Sequence, residues 1–378
     1  MPMSNSEKKA RIAVTMPRFS RYGGAESFAW RLSEALAARG HDVDFICGRC
    51  ETEPPAGVNP VVVGRFGGTR LIKTLWFALM CDRMQRRGNY DFVFGMANTM
   101  NQDILRIGGG PISVFWQLSK QAWPEGFARS FKMFRRRLAP VNWLIHWLDD
   151  VRMKRTPRIV AVSHFVRDLI VRAHPHLKTD DIEVVYNRPD LSRFSPPSDE
   201  ERQALRESAN IGPDEVVIGT AATNFALKGV RHLIATLARL PENYVLHVAG
   251  GRKPDKYLRQ ARELGVEHRV RFLGKVEDMP SFYRRTDIFI LATFYDACSN
   301  AVLEALACGC RVTSSALNGS TFFLPEDRVF PDPSDVPHMA DMLLRLAQEP
   351  RPEPFAWPDD MAIGIEPYIA MIEKSILK

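Results

Sequence analysis

The segment Phe294-Tyr-Asp-Ala-Cys-Ser-Asn-Ala-Val-Leu-Glu304 sets two carboxylates, Asp296 and Glu304, eight positions apart around a run of small residues. A strand reads as ending near Leu291 and a helix as starting around Ser299 or Asn300. Backbone N–H groups at such a start hold phosphate or sugar oxygens. Glu304, about one turn inside, presents a carboxylate that accepts two hydroxyls of a diol. A capping acid followed by a helix-surface glutamate fits the same spacing. Lys228 closes Thr220-Ala-Ala-Thr-Asn-Phe-Ala-Leu-Lys-Gly229, where another strand hands over to a helix. A lysine there neutralises a phosphate held by the helix N-terminus, although alone it reads more simply as a solvated lysine before a glycine. Gly23 and Gly24, in Ser20-Arg-Tyr-Gly-Gly-Ala-Glu26, let backbone approach a ligand at a third such junction, and a tight turn would need glycine there anyway. No Walker loop and no Gly-x-Gly-x-x-Gly is present, which counts against an NTPase or a nicotinamide enzyme.

All three segments fall at strand-to-helix junctions, and open α/β sheets bind ligands at the carboxyl ends of their strands. Arg11–Met16 reads as a buried strand, and apolar residues from Ala25 to Leu36 recur at helical spacing. Asp42–Cys47 follows as a strand, completing a βαβ unit and implying a parallel sheet. Val61–Val63, Asp91–Gly95, Arg158–Val162 and Ile182–Tyr186 are further strands, with a helix over His164–Arg172. The proline-bearing stretch Asn187–Glu200 reads as a linker. The pattern then restarts, with strands at Glu215–Gly219, Tyr244–Ala249, Val270–Leu273, Asp287–Leu291 and Arg311–Ser314. Helices fall between and after these strands, the last at Pro367–Leu377. The expectation is an α/β chain of two Rossmann-like doubly wound domains facing each other across a cleft.

The 378 residues leave room for two ordinary domains. With 45% apolar and 25% charged residues the composition is that of a folded chain rather than a disordered or collagenous one. No apolar run approaches the ~20 residues of a membrane helix, and the polar start Met1–Arg11 does not read as a signal peptide, so a cytoplasmic protein is expected. Cys47-Gly-Arg-Cys50 has redox or zinc spacing, but the loop after it and the poor match of Cys308 and Cys310 favour free thiols. The net charge of +7 is lopsided: residues 1–190 hold 29 Lys+Arg against 18 Asp+Glu, and residues 191–378 hold 22 against 26. One half therefore suits an anionic surface or substrate.

In combination, Gly-Gly-Ala-Glu26, Arg-Gly-His-Asp-Val43, Ala-Val-Ser-His-Phe-Val166, Val-Val-Tyr-Asn187, Lys-Gly229, Phe-Leu-Gly274 and Asp296-x7-Glu304 resemble, in order, the motifs of family 4 retaining glycosyltransferases of the GT-B fold. Gln-Asp-Ile-Leu-Arg-Ile-Gly-Gly-Gly110 and the segment ending at Glu304 are similar to the lipopolysaccharide-core glucosyltransferase branch. The resemblance implies an acceptor-side domain at 1–187, a nucleotide-sugar donor domain at 188–355, and a helix at 356–378 crossing back to the first. It implies a hexose moved from a nucleotide-sugar such as UDP-glucose to a lipopolysaccharide-core or related glycolipid, with retention and without a metal or other cofactor. Exopolysaccharide or small-glycoside synthesis, and an inactive protein that binds nucleotide or glycan, are the alternatives.

Carried over residue by residue, Glu304 would bind the ribose diol, and Asp296 the donor sugar, helped by backbone of Ala297, Cys298, Ser299 and Asn300. Lys228 would neutralise the leaving diphosphate, Gly23 and Gly24 would close over it, and backbone at Lys275 and Val276 would meet the base. The family's usual arginine near the lysine is replaced by Thr223 and Leu227, and Asp296 stands where most members have Glu. Pro111-Ile-Ser-Val-Phe-Trp116 replaces the branch's usual histidine, leaving Asp103 as the nearest polar candidate on the acceptor side, or else a helix cap. Arg129, Lys132, Arg135, Arg136 and Arg137 interleave with aromatics up to Trp143 and Trp147, which suits anionic lipid or a phosphorylated glycolipid. A core-packed helix pair is the plainer reading of that stretch, and a nucleic-acid surface the least favoured.

Overall fold

The structure, a computed structural model, describes residues 9–21, 23–251 and 253–377; the polar start up to residue 8, and Tyr22 of the first glycine loop, lie outside the described residues. The chain divides into two compact units. One comprises Met1–Trp116, Gly126–Asn187 and Met361–Lys378, the other Gln117–Glu125 and Arg188–Asp360.

In the first unit the strands are β1 (Arg11–Thr15), β2 (Arg18–Phe19), β3 (Asp42–Cys47), β4 (Arg49–Cys50), β5 (Val58–Val62), β6 (Phe92–Gly95), β7 (Ile104–Ile107), β8 (Arg158–Ala161) and β9 (Ile182–Val184). A seven-stranded sheet runs β5-β3-β1-β6-β7-β8-β9, and β2 pairs with β4 separately. Its pairings are parallel. Helices α1 (Gly24–Ala38), α2 (Arg70–Gly88), α3 (Ile112–Ser119), α4 (Phe127–Leu138), α5 (Pro140–Arg155) and α6 (His164–Ala173) connect them. Strands such as Ile12–Val14 and Phe45–Cys47 are buried without a break, as helices on both faces of a parallel sheet require.

The second unit carries α7 (Asp199–Ser208), α8 (Val230–Leu237), α9 (Asp255–Glu263), α10 (Met279–Arg284), α11 (Asn300–Ala307) and α12 (Val336–Gln348). Its strands are β10 (Val216–Ala221), β11 (Tyr244–Ala249), β12 (Val270–Gly274), β13 (Ile288–Leu291), β14 (Arg311–Ser315) and β15 (Val329–Phe330). The sheet order β12-β11-β10-β13-β14-β15 is the doubly wound order of dinucleotide-binding sheets, with its switch point between β10 and β13.

The last helix, α13 (Glu366–Ile376), belongs to the first unit and buries Tyr368, Ile369, Ile372 and Ile376 in the core that holds β1 and β6. The return falls after Asp360 rather than at 356, because Phe355 packs edge-on and Trp357 tilted against Phe323 at ring distances of 6.2 and 5.6 Å in the second unit. Gln117–Glu125 also groups with the second unit. A boundary read from linker composition does not register a nine-residue excursion of this kind. The sequence reading has no element between Val63 and Asp91, where the structure has the 19-residue α2, capped by the Thr69 side chain.

Candidate functional site

The switch point is built from a turn that only glycine permits. After β10 the chain folds back so that Lys228 N–H donates to the Asn224 carbonyl at 3.0 Å. Gly229 then takes a left-handed φ of 62°, and a Cβ there would fall 2.1 Å from the Ala292 carbonyl oxygen. The Lys-Gly turn therefore lies against the carboxyl end of β13. Phe294 N–H donates to the Leu227 carbonyl at 2.9 Å and fixes the register of the two loops. Their side chains meet: Lys228 Nζ forms an ion pair with Asp296 Oδ2. Only 14% of the lysine side chain and 20% of the aspartate are exposed. A pair this enclosed is costly to break by removing one partner, yet a ligand bearing phosphate and hydroxyl groups supplies a new partner to each.

The Asp296 loop is clamped from behind by the segment after β14. Asp296 N–H donates to the Leu317 carbonyl at 2.9 Å, and Gly319 N–H to the Asp296 carbonyl at 3.0 Å. Asn318 Oδ1 accepts from Ser299 N–H at 3.3 Å and from Ser320 N–H at 3.1 Å, while Ser320 Oγ donates to the Ser299 carbonyl at 3.0 Å. Ser299 is the N-cap of α11, its hydroxyl accepting from Val302 N–H. The backbone of Ala297, Cys298, Ser299 and Asn300 is thereby set at a fixed helix start, with the positive end of the helix dipole behind it.

Glu304 lies about 6 Å along the α11 axis from Asn300, at 1.5 Å per residue. Its Oε2 accepts from the Tyr283 hydroxyl at 2.8 Å. Burial, and then the neighbouring Glu304 charge, push Tyr283 well above the ordinary tyrosine value, so the hydroxyl stays protonated and goes on donating. Glu304 is in this way oriented from beneath by a fully buried ring. Val276 packs against the core that contains Tyr283 and Ala305, next to the end of β12. Lys275 is exposed and pairs with Glu277 at 3.0 Å.

Asn318, Ser320 and Tyr283 were not singled out in the sequence. An Asn-Gly step just past β14 is the one local signal for the clamp; Tyr283 carries none, since its contact with Glu304 spans 21 positions and arises from the packing of α10 on α11.

In the first unit Gly23 is the N-cap of α1 at φ 104°, and Gly24 is the first helical residue. A Cβ on Gly23 would fall 2.5 Å from Glu26 Oε2, and Glu26 is itself paired with Arg18. Asp103 does not join these groups. It precedes β7, where its Oδ2 accepts from Val93 N–H at 2.7 Å. It thus sits at the amino ends of the strands, opposite the ligand-binding edge, tied to the neighbouring strand rather than capping a helix. Among the described residues no cluster of three or more His, Cys, Asp or Glu is arranged to hold a metal ion, and all six cysteines are free thiols.

The basic-aromatic stretch forms α4 and α5. α5 roots itself through Ile145, Leu148 and Met153, and its Trp143 Nε1 and Asn142 Nδ2 donate to the carbonyls of Arg137 and Arg136 at the end of α4. α4 buries no residue. Phe127, Phe131, Phe134 and Leu138 recur along one exposed stripe, Phe127 at 84%, and Trp143 and Trp147 extend it on α5 at 61% and 52%. A core-packed pair therefore fails for α4. No helix of the described residues is long and apolar enough to cross a membrane.

Comparison with known proteins places these units. A family model described as Glycosyltransferase Family 4 matches residues 22–193, and one described as Glycosyl transferases group 1 matches residues 213–349. The lipopolysaccharide core biosynthesis glycosyltransferase LpsE of Rhizobium meliloti (strain 1021) is 34% identical over 315 residues, covering 83% of this chain and 82% of that protein. The D-inositol 3-phosphate glycosyltransferase of Mycobacterium sp. (strain KMS) is 30% identical over 170 residues, 43% of this chain and 38% of that protein's length. Among solved structures, that of WaaG, a glycosyltransferase involved in lipopolysaccharide biosynthesis, superposes with a TM-score of 0.74 at 19% identity, covering 89% of this chain and 92% of that one.

Proposed function

Since the chain belongs to family 4 of the glycosyltransferases and its two Rossmann-like units make up the GT-B fold, we propose that it transfers a hexose, with retention, from a UDP-sugar such as UDP-glucose to a lipopolysaccharide-core or related glycolipid. The observation that carries this reading is the Lys228–Asp296 pair at the switch point, with Glu304 held one helical turn into α11.

The roles follow those that the family resemblance implies. Glu304, pre-oriented by Tyr283, accepts the two ribose hydroxyls. Lys228 leaves Asp296 for the diphosphate, and Asp296 then accepts hydroxyls of the sugar beside the start of α11. Gly23 and Gly24 are assigned to the diphosphate by the family resemblance alone, and the backbone at Lys275 and Val276 to the base. In the chemical step the bond from the anomeric carbon to the diphosphate oxygen breaks, and its electron pair leaves with the diphosphate. A fixed cation and the α11 dipole lower the barrier most where that charge grows. The acceptor oxygen attacks from the same face and gives its proton to the departing diphosphate. No metal ion is assigned a part. Asp103 is withdrawn from the acceptor side, because it is engaged at the other end of its strand.

The acceptor's lipid supplies the second half of the proposal. The exposed stripe on α4 and α5, flanked by Arg129, Lys132, Arg135, Arg136 and Arg137, suits an anionic membrane surface at the cytoplasmic face: apolar rings enter the interface while cations meet headgroups. The similarity to LpsE, a lipopolysaccharide core biosynthesis glycosyltransferase, favours that acceptor over an exopolysaccharide or a small glycoside.

The test is a donor screen by thermal shift, since a ligand of the native state raises its stability. It is followed by transfer assays in which NMR reads the anomer formed. UDP-hexose is expected to stabilise most, and the product to keep the donor's anomeric configuration. Stabilisation by GDP- or ADP-sugars alone would overturn the donor, and an inverted product the mechanism.

A further inference from the structure

The second unit holds another polar cavity, far from the Lys228–Asp296 pair. It measures about 220 Å³, and its lining includes Arg202, Arg311, Arg351, Asp199, Thr286 and Asp287. Thr286 and Asp287 lead into β13, and Arg311 opens β14. The cavity is therefore at the amino ends of the strands whose carboxyl ends carry the donor groups, about 13 Å away along the four residues of β13.

Its charges do not balance. Asp287 is already shared: its Oδ1 pairs with Arg202, while Oδ2 accepts from Arg206 Nη1 at 2.9 Å and from Val217 N–H at 2.8 Å. Arg311 Nε donates to the Glu349 carbonyl at 2.9 Å, and Arg351 donates to the carbonyls of Gly309 and Cys308 at 3.3 and 3.4 Å. Those acceptors are neutral carbonyls, and the carboxylates acting on Arg351 are Asp199 and Asp287. With Arg206 the cluster sets four cations against the two carboxylates Asp199 and Asp287. Arg202 Nε is buried and has no hydrogen-bond partner among the described residues, an N–H donor awaiting an acceptor. Burial, and then the charge of Arg202, push Arg351 below the ordinary arginine value.

We propose that this cavity is a second ligand site, for a small phosphate-bearing anion, distinct from the donor site. Forked guanidinium groups match tetrahedral phosphate oxygens and bind them with paired hydrogen bonds. The volume suits a phosphate or diphosphate, or a phosphate on a small organic body. It falls short of the roughly 300–1,000 Å³ that larger ligands occupy, so a whole nucleotide-sugar is excluded.

The test uses the full chain with inorganic phosphate and pyrophosphate, at ionic strength matched with sodium chloride, followed by calorimetry and thermal unfolding. Lys228→Ala, which lacks the lysine assigned to the donor diphosphate, is expected still to bind the anion through this cavity. Arg202→Gln and Arg351→Gln are each expected to weaken it at least tenfold. A tungstate soak of wild-type crystals, which needs no variant to fold, is expected to give an anomalous peak among Arg202, Arg311 and Arg351. The proposal is overturned by stabilisation no greater than the chloride control gives. Binding lost in Lys228→Ala but kept in both arginine variants would place the anion in the donor site and overturn it equally, as would a crystal with the cavity empty of tungstate.

Discussion

Replacing Tyr283 by Phe removes one oxygen and keeps the ring that packs edge-on against Phe282 and Phe289 at 5.3 and 5.5 Å. What is lost is the 2.8 Å hydrogen bond to Glu304, and its cost divides into two measurable parts. In the free protein a hydrogen bond to a charged group contributes about 1.5–3 kcal/mol. Glu304 is half-buried, so water replaces part of that, and a loss of about 1.5 kcal/mol is expected. For a domain of this size that is a fall of about 3–6 °C in Tm. In the complex, the donor must then immobilise the Glu304 side chain itself, at about 0.5–1.5 kcal/mol, which is about a two- to tenfold rise in donor Kd. Neither residue is placed at the reacting atoms, so kcat should stay within about twofold. Calorimetry with the nucleotide-sugar, steady-state kinetics and a melting curve read the three quantities. A lowered Tm with unchanged Kd and KM would refute the reasoning and leave Tyr283 a packing residue only. A fall in kcat at constant Kd would refute the ribose assignment of Glu304.

Gly229→Ala forces a side chain into a left-handed conformation costing about 1–2 kcal/mol, with its Cβ aimed at the Ala292 carbonyl. The Lys228 turn must move, and kcat/KM is expected to fall at least about tenfold; unchanged kinetics would show that the turn does not position the lysine. Phe131→Ser with Phe134→Ser should abolish retention on anionic vesicles at low salt without lowering Tm, because neither ring is buried; equal retention on neutral vesicles would contradict the lipid reading. Stability should also fall between pH 7.5 and 5.5. Burial, aided by nearby arginines, pushes His232 down to about 4 and His247 to about 3. The unfolded chain therefore takes up protons near 6.5 that the folded chain refuses. Each histidine costs about 1.4 kcal/mol at pH 5.5, so denaturant curves should show a drop of about 3 kcal/mol, and a flat profile would contradict the burial of either ring. Asp44 and Asp149, held below the usual carboxylate range despite burial, act the same way only at more acid pH.

The doubly wound plan was legible because buried parallel strands are near-continuous apolar runs, as in Ile288–Leu291, and their connecting helices carry periodic faces. α2 escaped that logic. Phe77, Ala78 and Cys81 face the core while Ile72, Leu75 and Leu79 face outward, so no clean apolar stripe is written in its sequence. With β7 unassigned, Asp103 could not be placed at the amino or the carboxyl end of a strand, and only the β6–β7 register decided it. Lys228, Asp296 and Glu304 drew notice because each stands beside a glycine turn or a helix start, and the family resemblance rather than the spacing gave them roles. Their supports, Asn318, Ser320 and Tyr283, come from distant segments that the sheet order brings alongside. The outward direction of the aromatic stripe on α4 is a tertiary fact that composition does not carry.

The central claim is that Lys228 exchanges Asp296 for the leaving diphosphate. The most direct measurement is turnover of a UDP-hexose by wild type and by Lys228→Ala, with melting curves to confirm that the variant folds. Removing a fixed charge-stabilising group of this kind costs about 2.7–4 kcal/mol, so kcat is expected to fall about 100- to 1,000-fold in the folded variant. Turnover by Lys228→Ala within a few-fold of wild type would contradict the account.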